Sequence, residues 1–107
     1  MRLSSFVSYF FAGAFLKNGV PHFVVATTGR RNITPFGRNS SPLVNLLWGL
    51  MNFAAGYLLM RFADSRAEKK ADSTAWQLPY EAGTLFWSLF GVIYAWFTTR
   101  QEFKKGA

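Results

Sequence analysis

Cysteine is missing from this chain of 107 residues. That excludes a disulfide framework, a thiolate metal site and a catalytic thiol. Charge is scarce too: 16% of the residues are Asp, Glu, Lys or Arg, where a soluble domain carries roughly a quarter. Acidic residues are the rarest, with five Asp and Glu against twelve Lys and Arg and a net charge of +7. His22 is the single histidine, and one imidazole makes no metal centre without other ligands. The apolar stretches hold no Asp or Glu apart from Glu81 at one end, so no metal site is expected. No phosphate-cradling Gly-rich loop, no Gly-x-Ser-x-Gly elbow, no zinc spacing and no paired carboxylates occur. Nucleophilic and acid–base catalysis therefore lack their usual groups, and neither enzyme activity nor a cofactor is expected.

What is present is apolar. Half of the residues are hydrophobic and 19% are aromatic. The charge is segregated, so that long apolar runs alternate with short basic segments. In a soluble protein, +7 would point to nucleic acid. Here Lys and Arg flank apolar runs, which suits a bilayer with anionic headgroups and no nucleic-acid partner. Three runs approach the ~20 residues that a hydrocarbon core requires. They predict a single all-α membrane domain over 1–107, with three transmembrane helices at about 3–26, 42–62 and 79–99 and polar loops at 27–41 and 63–78.

Each run carries local signals. Ser4 or Ser5 suits the cap of the first helix. Pro21 lacks the N–H that would bond the carbonyl of Lys17, so the first helix is expected to be kinked or broken near Asn18–Pro21. A cleaved signal peptide is the rival reading, with Arg2 as its basic start and Ala12-Gly13-Ala14 as its cleavage site. Its apolar run, Phe6–Phe11, is too short, and apolar character resumes afterwards. The Gly, Pro and Asn density of 27–41 reads as turns. Ser41-Pro42 is a strong helix start. Asp64–Thr74 has mixed charge and reads as the second helix leaving the membrane before it breaks. Pro79 opens the third run, with Glu81 expected in its first turn and Arg100, Lys104 and Lys105 closing it. Trp76 and Tyr80 at one end and Trp96 near the other fit an aromatic belt. Basic residues number five on one side and six on the other, which leaves the orientation open.

The candidate functional residues form three groups. Asn45, Gly49, Asn52 and Gly56 stand at relative positions 0, 4, 7 and 11, one face of an otherwise apolar helix. Thr84, Ser88, Gly91 and Ala95 repeat that spacing, and Ser8, Ala12 and Gly19 form a weaker version in the first run. Small residues let membrane helices approach, and Asn bridges them. The second run is therefore expected to be the middle helix, with runs two and three packing together or with copies of themselves. Lys17, Asn18 and His22 form the one ionisable cluster near an apolar segment, a polar site or an interfacial anchor. Arg30, Arg31 and Arg38 are candidates for lipid-phosphate contacts, with ordinary flanking charge as the alternative.

The run Asn18-Gly-Val-Pro-His-Phe, then Gly29-Arg-Arg, Thr34-Pro-Phe and Ser40-Ser-Pro-Leu-Val-Asn-Leu-Leu-Trp-Gly49, resembles a family of small uncharacterised bacterial inner-membrane proteins. The likeness covers Phe11–Leu59. It implies a bacterial source and an inner-membrane location, and it supplies no catalytic residue. Members of that family often carry a second His after Pro-His-Phe-Val, where this chain has Val25, Ala26 and Thr27. Small multidrug-resistance transporters have four spans and a Glu in the first, and this chain departs on both counts. The sequence thus supports a non-enzymatic membrane protein acting as an accessory or self-associating subunit, in a homo-oligomer or a larger complex. The alternatives are a small transporter or channel using His22, Asn45 and Asn52, and a lipid enzyme using His22 with Arg30 or Arg31.

Overall fold

The computed structural model describes residues 1–66 and 74–106, with side chains described as far as Thr98. In chain order these form α1 (Leu3–Thr27), β1 (Asn32–Thr34), β2 (Gly37–Ser40), α2 (Pro42–Arg66) and α3 (Gln77–Gly106). Residues 67–73 of the charged 63–78 loop, including Glu68, Lys69, Lys70 and Asp72, lie outside the described residues, as do the side chains of Arg100, Lys104 and Lys105.

α1 runs through Pro21 without interruption, so the break expected at Asn18–Pro21 does not occur. The missing bond is local, whereas α1 is held against α2 on both sides of it. Gly19 meets Gly49 before Pro21, and His22 reaches Asn45 after it. Neighbouring helices commonly carry a membrane-type helix past a proline in this way. The cap also differs from the sequence reading. Arg2 occupies the cap position with no side-chain bond, and Ser5 is fully buried, its hydroxyl donating to the carbonyl of Ala63 at 3.3 Å. At the other end the chain turns at Gly29, whose φ of 69° lies in the region that favours glycine.

The loop expected at 27–41 contains a β-hairpin. Asn32 pairs with Ser40 and Thr34 with Gly37, with an irregular register between them and Pro35-Phe36 at the turn. An isolated two-stranded hairpin is marginal in water. This one is tied to the helices: the Asn45 amide donates to the carbonyls of Asn32, Ser40 and Ser41 at 3.3, 3.1 and 3.1 Å. The Phe36 ring packs edge-on to Trp48 at 5.9 Å.

α2 begins as its sequence suggests, with the Val44 N–H donating to the Ser41 hydroxyl at 3.2 Å. Ser41→Ala should lower stability by ~1 kcal/mol, the usual worth of such a cap, measured by detergent-titrated unfolding. α3 begins at Gln77, so Pro79 falls inside its first turn and Glu81 lies beyond it.

α1, not α2, is the middle helix. It packs along both α2 and α3, and α2 and α3 barely touch. The expectation that runs two and three pack together is therefore corrected. α2 is antiparallel to α1, with Gly56 beside Ala12 and Leu16 and Gly49 beside Gly19. α3 runs parallel to α1 but is displaced along it, since Tyr80 lies at Gly13 and Trp87 at Asn18. The start of α3 is thus level with about Phe10, and its far end projects past the end of α1. The longest dimension of 59 Å exceeds the ~37 Å of a 25-residue helix for this reason.

Burial is inverted relative to a water-soluble bundle. Among the described residues the buried side chains are mostly small or polar, including Ser5, Ser8, Ala12, Ala14, His22, Thr34, Ser40, Asn45, Asn52 and Ala63, together with Pro79 and one aromatic, Tyr9. Leucines, phenylalanines and valines face outward. α2 is long and apolar enough to cross a membrane, and only 22% of its apolar window is buried. α1 and α3 do not meet that measure. α1 carries Ser4, Ser5, Ser8, Lys17, Asn18 and His22, and α3 opens with Gln77, Pro79 and Glu81.

Candidate functional site

The interior polar groups form rungs between α1 and its neighbours. At one end the Tyr9 hydroxyl donates to Asp64 at 2.5 Å. Further along, the Asn18 amide nitrogen donates to the Asn52 carbonyl oxygen at 3.0 Å, and the Asn52 amide nitrogen donates to its own helix at Trp48 O, 2.8 Å away. Asn18 also accepts from the Trp87 indole N–H at 2.8 Å. It therefore links all three helices through one amide.

The last rung is His22 with Asn45, Nδ1 to Oδ1 at 2.8 Å. Asn45 is fully buried. Its amide nitrogen is committed to the three carbonyls at the base of the hairpin. Its Oδ1 must then be an acceptor toward His22, so the hydrogen-bond pattern places the proton on His22 Nδ1. Nε2 is left without a hydrogen-bond partner among the described residues. Asn45 thus fixes both the imidazole and the hairpin.

Beside these rungs lies a cleft of about 560 Å³, lined by Lys17, Asn18 and His22 of α1, residues 32–35 of the hairpin, Trp48 of α2 and part of α3 from Trp87 to Ala95. A smaller cavity of about 180 Å³ lies among Phe10, Phe11, Phe15 and Phe86. Asn18, Trp48 and Trp87 line both.

The structure sorts the residues singled out by sequence. Asn45, Gly49, Asn52 and Gly56 are all buried and turned to α1. The second stripe is used differently. A β-carbon at Gly13 would meet the Thr84 methyl at 3.3 Å, whereas Ser88, Gly91 and Ala95 line the cleft and Gly91 has nothing within 4 Å of where a β-carbon would stand. The closest α3 contact is Gly83, where a β-carbon would run into the carbonyl of Phe10. Lys17, Asn18 and His22 come together at the cleft. Arg30, Arg31 and Arg38 do not reach it; all three are exposed, and Arg31 donates to the Asn39 carbonyl across the hairpin at 3.1 Å. Among the described residues, no three His, Asp or Glu side chains gather as metal ligands.

Trp87 is the cleft-lining residue that sequence reasoning passed over. Its signal was an indole N–H inside the charge-free stretch 82–99, because a buried indole N–H takes a partner. Comparison with family models, curated proteins and solved structures gives no match to this chain.

Proposed function

We propose that this chain is a multi-pass integral membrane protein of the cell membrane, crossing the bilayer three times and acting as a non-enzymatic accessory subunit. The inverted burial carries the reading. In water, exposing Leu43, Leu47, Leu50, Met51 and Leu58 along one helix would forfeit ~1.5–3 kcal/mol per side chain. In lipid those side chains are at home, and packing by small residues with amide bridges is the usual helix contact. The later part of α3 supports an accessory role: every residue from Leu89 to Phe97 is exposed. It offers an apolar surface, rich in Phe, Ile and Trp, to lipid or to another membrane protein or copy.

The groups at the cleft favour binding over catalysis. A polar path through His22, Asn45 and Asn52 is the weaker reading, because both asparagines are occupied in bridging. A lipid enzyme using Arg30 or Arg31 with His22 is weaker still, since those arginines stand off the cleft.

The absence of cysteine makes the topology directly testable. Arg2→Cys and Ser65→Cys should react with an impermeant maleimide from one side of the membrane. Asn39→Cys and Gly106→Cys should react from the other side. Labelling of all four from one side, or recovery of the folded chain in the aqueous fraction, would rule the three-span reading out.

A further inference from the structure

We propose that the two adjoining cavities hold one anionic phospholipid, its phosphate at Lys17 and an acyl chain among the phenylalanines. This rests on the membrane reading above and deepens it by naming a site.

The first argument is an uncompensated charge. Lys17 lines the cleft at its exposed mouth and has no hydrogen-bond or ion-pair partner among the described residues. Nothing nearby in sequence supplies one, because residues 1–63 contain no Asp or Glu at all. A cation bordering an apolar groove calls for an anion, and none of the described residues supplies it. His22 Nε2 and the Asn18 amide add polar groups at the same end.

The second argument is the gradient across the cavities. The larger one is bounded by Lys17, His22 and the hairpin. The smaller one, reached past Asn18, Trp48 and Trp87, is lined beyond those shared residues by Phe10, Phe11, Ala14, Phe15 and Phe86, with Asn52 its one further polar side chain and that amide already bonded to Asn18 and Trp48. The order is a charged mouth and a greasy end, which matches a head and a tail. The hairpin sets the depth of the mouth. A two-stranded hairpin leaves open backbone edges and cannot lie in hydrocarbon, so the face bordered by residues 32–35 belongs at the headgroup level.

The third argument is size. The larger cavity, at about 560 Å³, falls within the roughly 300–1,000 Å³ of small-molecule sites. Ser88, Gly91 and Ala95 keep the α3 side of that cavity clear of bulky side chains.

The test uses the full-length protein in phosphatidylcholine nanodiscs, in a Trp76→Phe/Trp96→Phe background whose two remaining tryptophans line both cavities. A minor fraction of phosphatidylglycerol with a brominated acyl chain is compared with equally brominated phosphatidylcholine as quencher. Flotation with the discs is checked first; a chain that fails to float overturns the membrane reading before the site is probed. The expected result is an apparent preference of about fivefold for the anionic lipid, equivalent to the ~1 kcal/mol that one cation gains near anionic lipid. Lys17→Gln should bring that preference to parity, and Lys17→Arg should keep it. Equal quenching by both lipids, or a preference that survives Lys17→Gln, would overturn the site. Displacement by palmitate or inorganic phosphate as effective as by unlabelled phosphatidylglycerol would overturn the phospholipid assignment.

Discussion

Gly83→Val is expected to detach α3 from α1. A β-carbon at position 83 would overlap the Phe10 carbonyl, and the next contact, Ala14 N, is at 3.2 Å. Both are backbone atoms of a continuous helix and cannot swing aside as a side chain would. Overpacking a good contact usually costs ~1–3 kcal/mol. Here the two helices must separate, which also breaks the Trp87–Asn18 bond and the Phe10–Phe86 ring contact at 5.6 Å. The measurement is an engineered crosslink between Phe10→Cys and Phe86→Cys, which this cysteine-free chain permits without background. The crosslink should form readily in the parent and fall at least tenfold with Gly83→Val, the ratio that ~1.4 kcal/mol sets. Gly91→Leu is the contrast. Nothing lies within 4 Å of that position, so the crosslink should be unchanged. An equal loss in both variants would mean that α3 does not dock through its first turns.

That contrast also shows how far the sequence could be read. The three helices were legible because each apolar run is bounded by polar or helix-starting residues, as at Ser41-Pro42. The seam of α2 was legible because Asn and Gly stand out against leucine, and Asn45, Gly49, Asn52 and Gly56 all turn inward. The partner of that seam was not legible. Two stripes with equal spacing, on α2 and α3, suggested each other, yet both helices flank α1, whose own small residues Ser5, Ser8, Ala12, Gly13 and Gly19 cover two faces. A middle helix shows two weak stripes rather than one strong one, and its pattern therefore reads as irregular. The register on α3 was missed for a related reason. Its docking surface is short, centred on Gly83, and the longer stripe from Ser88 to Ala95 borders open space. The hairpin was hidden because Arg, Asn, Gly and Ser have little strand preference. What orders it is Asn45, which lies outside both strands in the first turn of the following helix and acts through its side chain.

Asn45→Leu should accordingly be the most damaging single substitution in the polar interior. Leucine keeps the volume but removes both amide N–H donors, which are shared among three carbonyls at the hairpin base, and the oxygen that accepts from His22. The Ser41 carbonyl retains its bond from the Asn45 backbone N–H, whereas the Asn32 and Ser40 carbonyls and His22 Nδ1 lose their side-chain partner. Each orphaned buried group costs ~1–3 kcal/mol, and access of water to the exposed side of the hairpin offsets part of that, leaving a net loss of about 2–3 kcal/mol. Asn52→Leu makes the comparison sharp. Asn52 is equally interior at 2% exposure, but it gives up one interhelical bond and one bond to its own helix, and such bridges average ~0.6 kcal/mol in membrane proteins. Detergent-titrated unfolding should therefore separate the two variants by ~1.5–2 kcal/mol. A second readout isolates the hairpin: trypsin cutting at the exposed Arg38 should accelerate in Asn45→Leu and stay at the parent rate in Asn52→Leu. If both variants unfold alike and the hairpin keeps its protection, the hairpin is held by the Phe36–Trp48 contact and not by the asparagine beneath it.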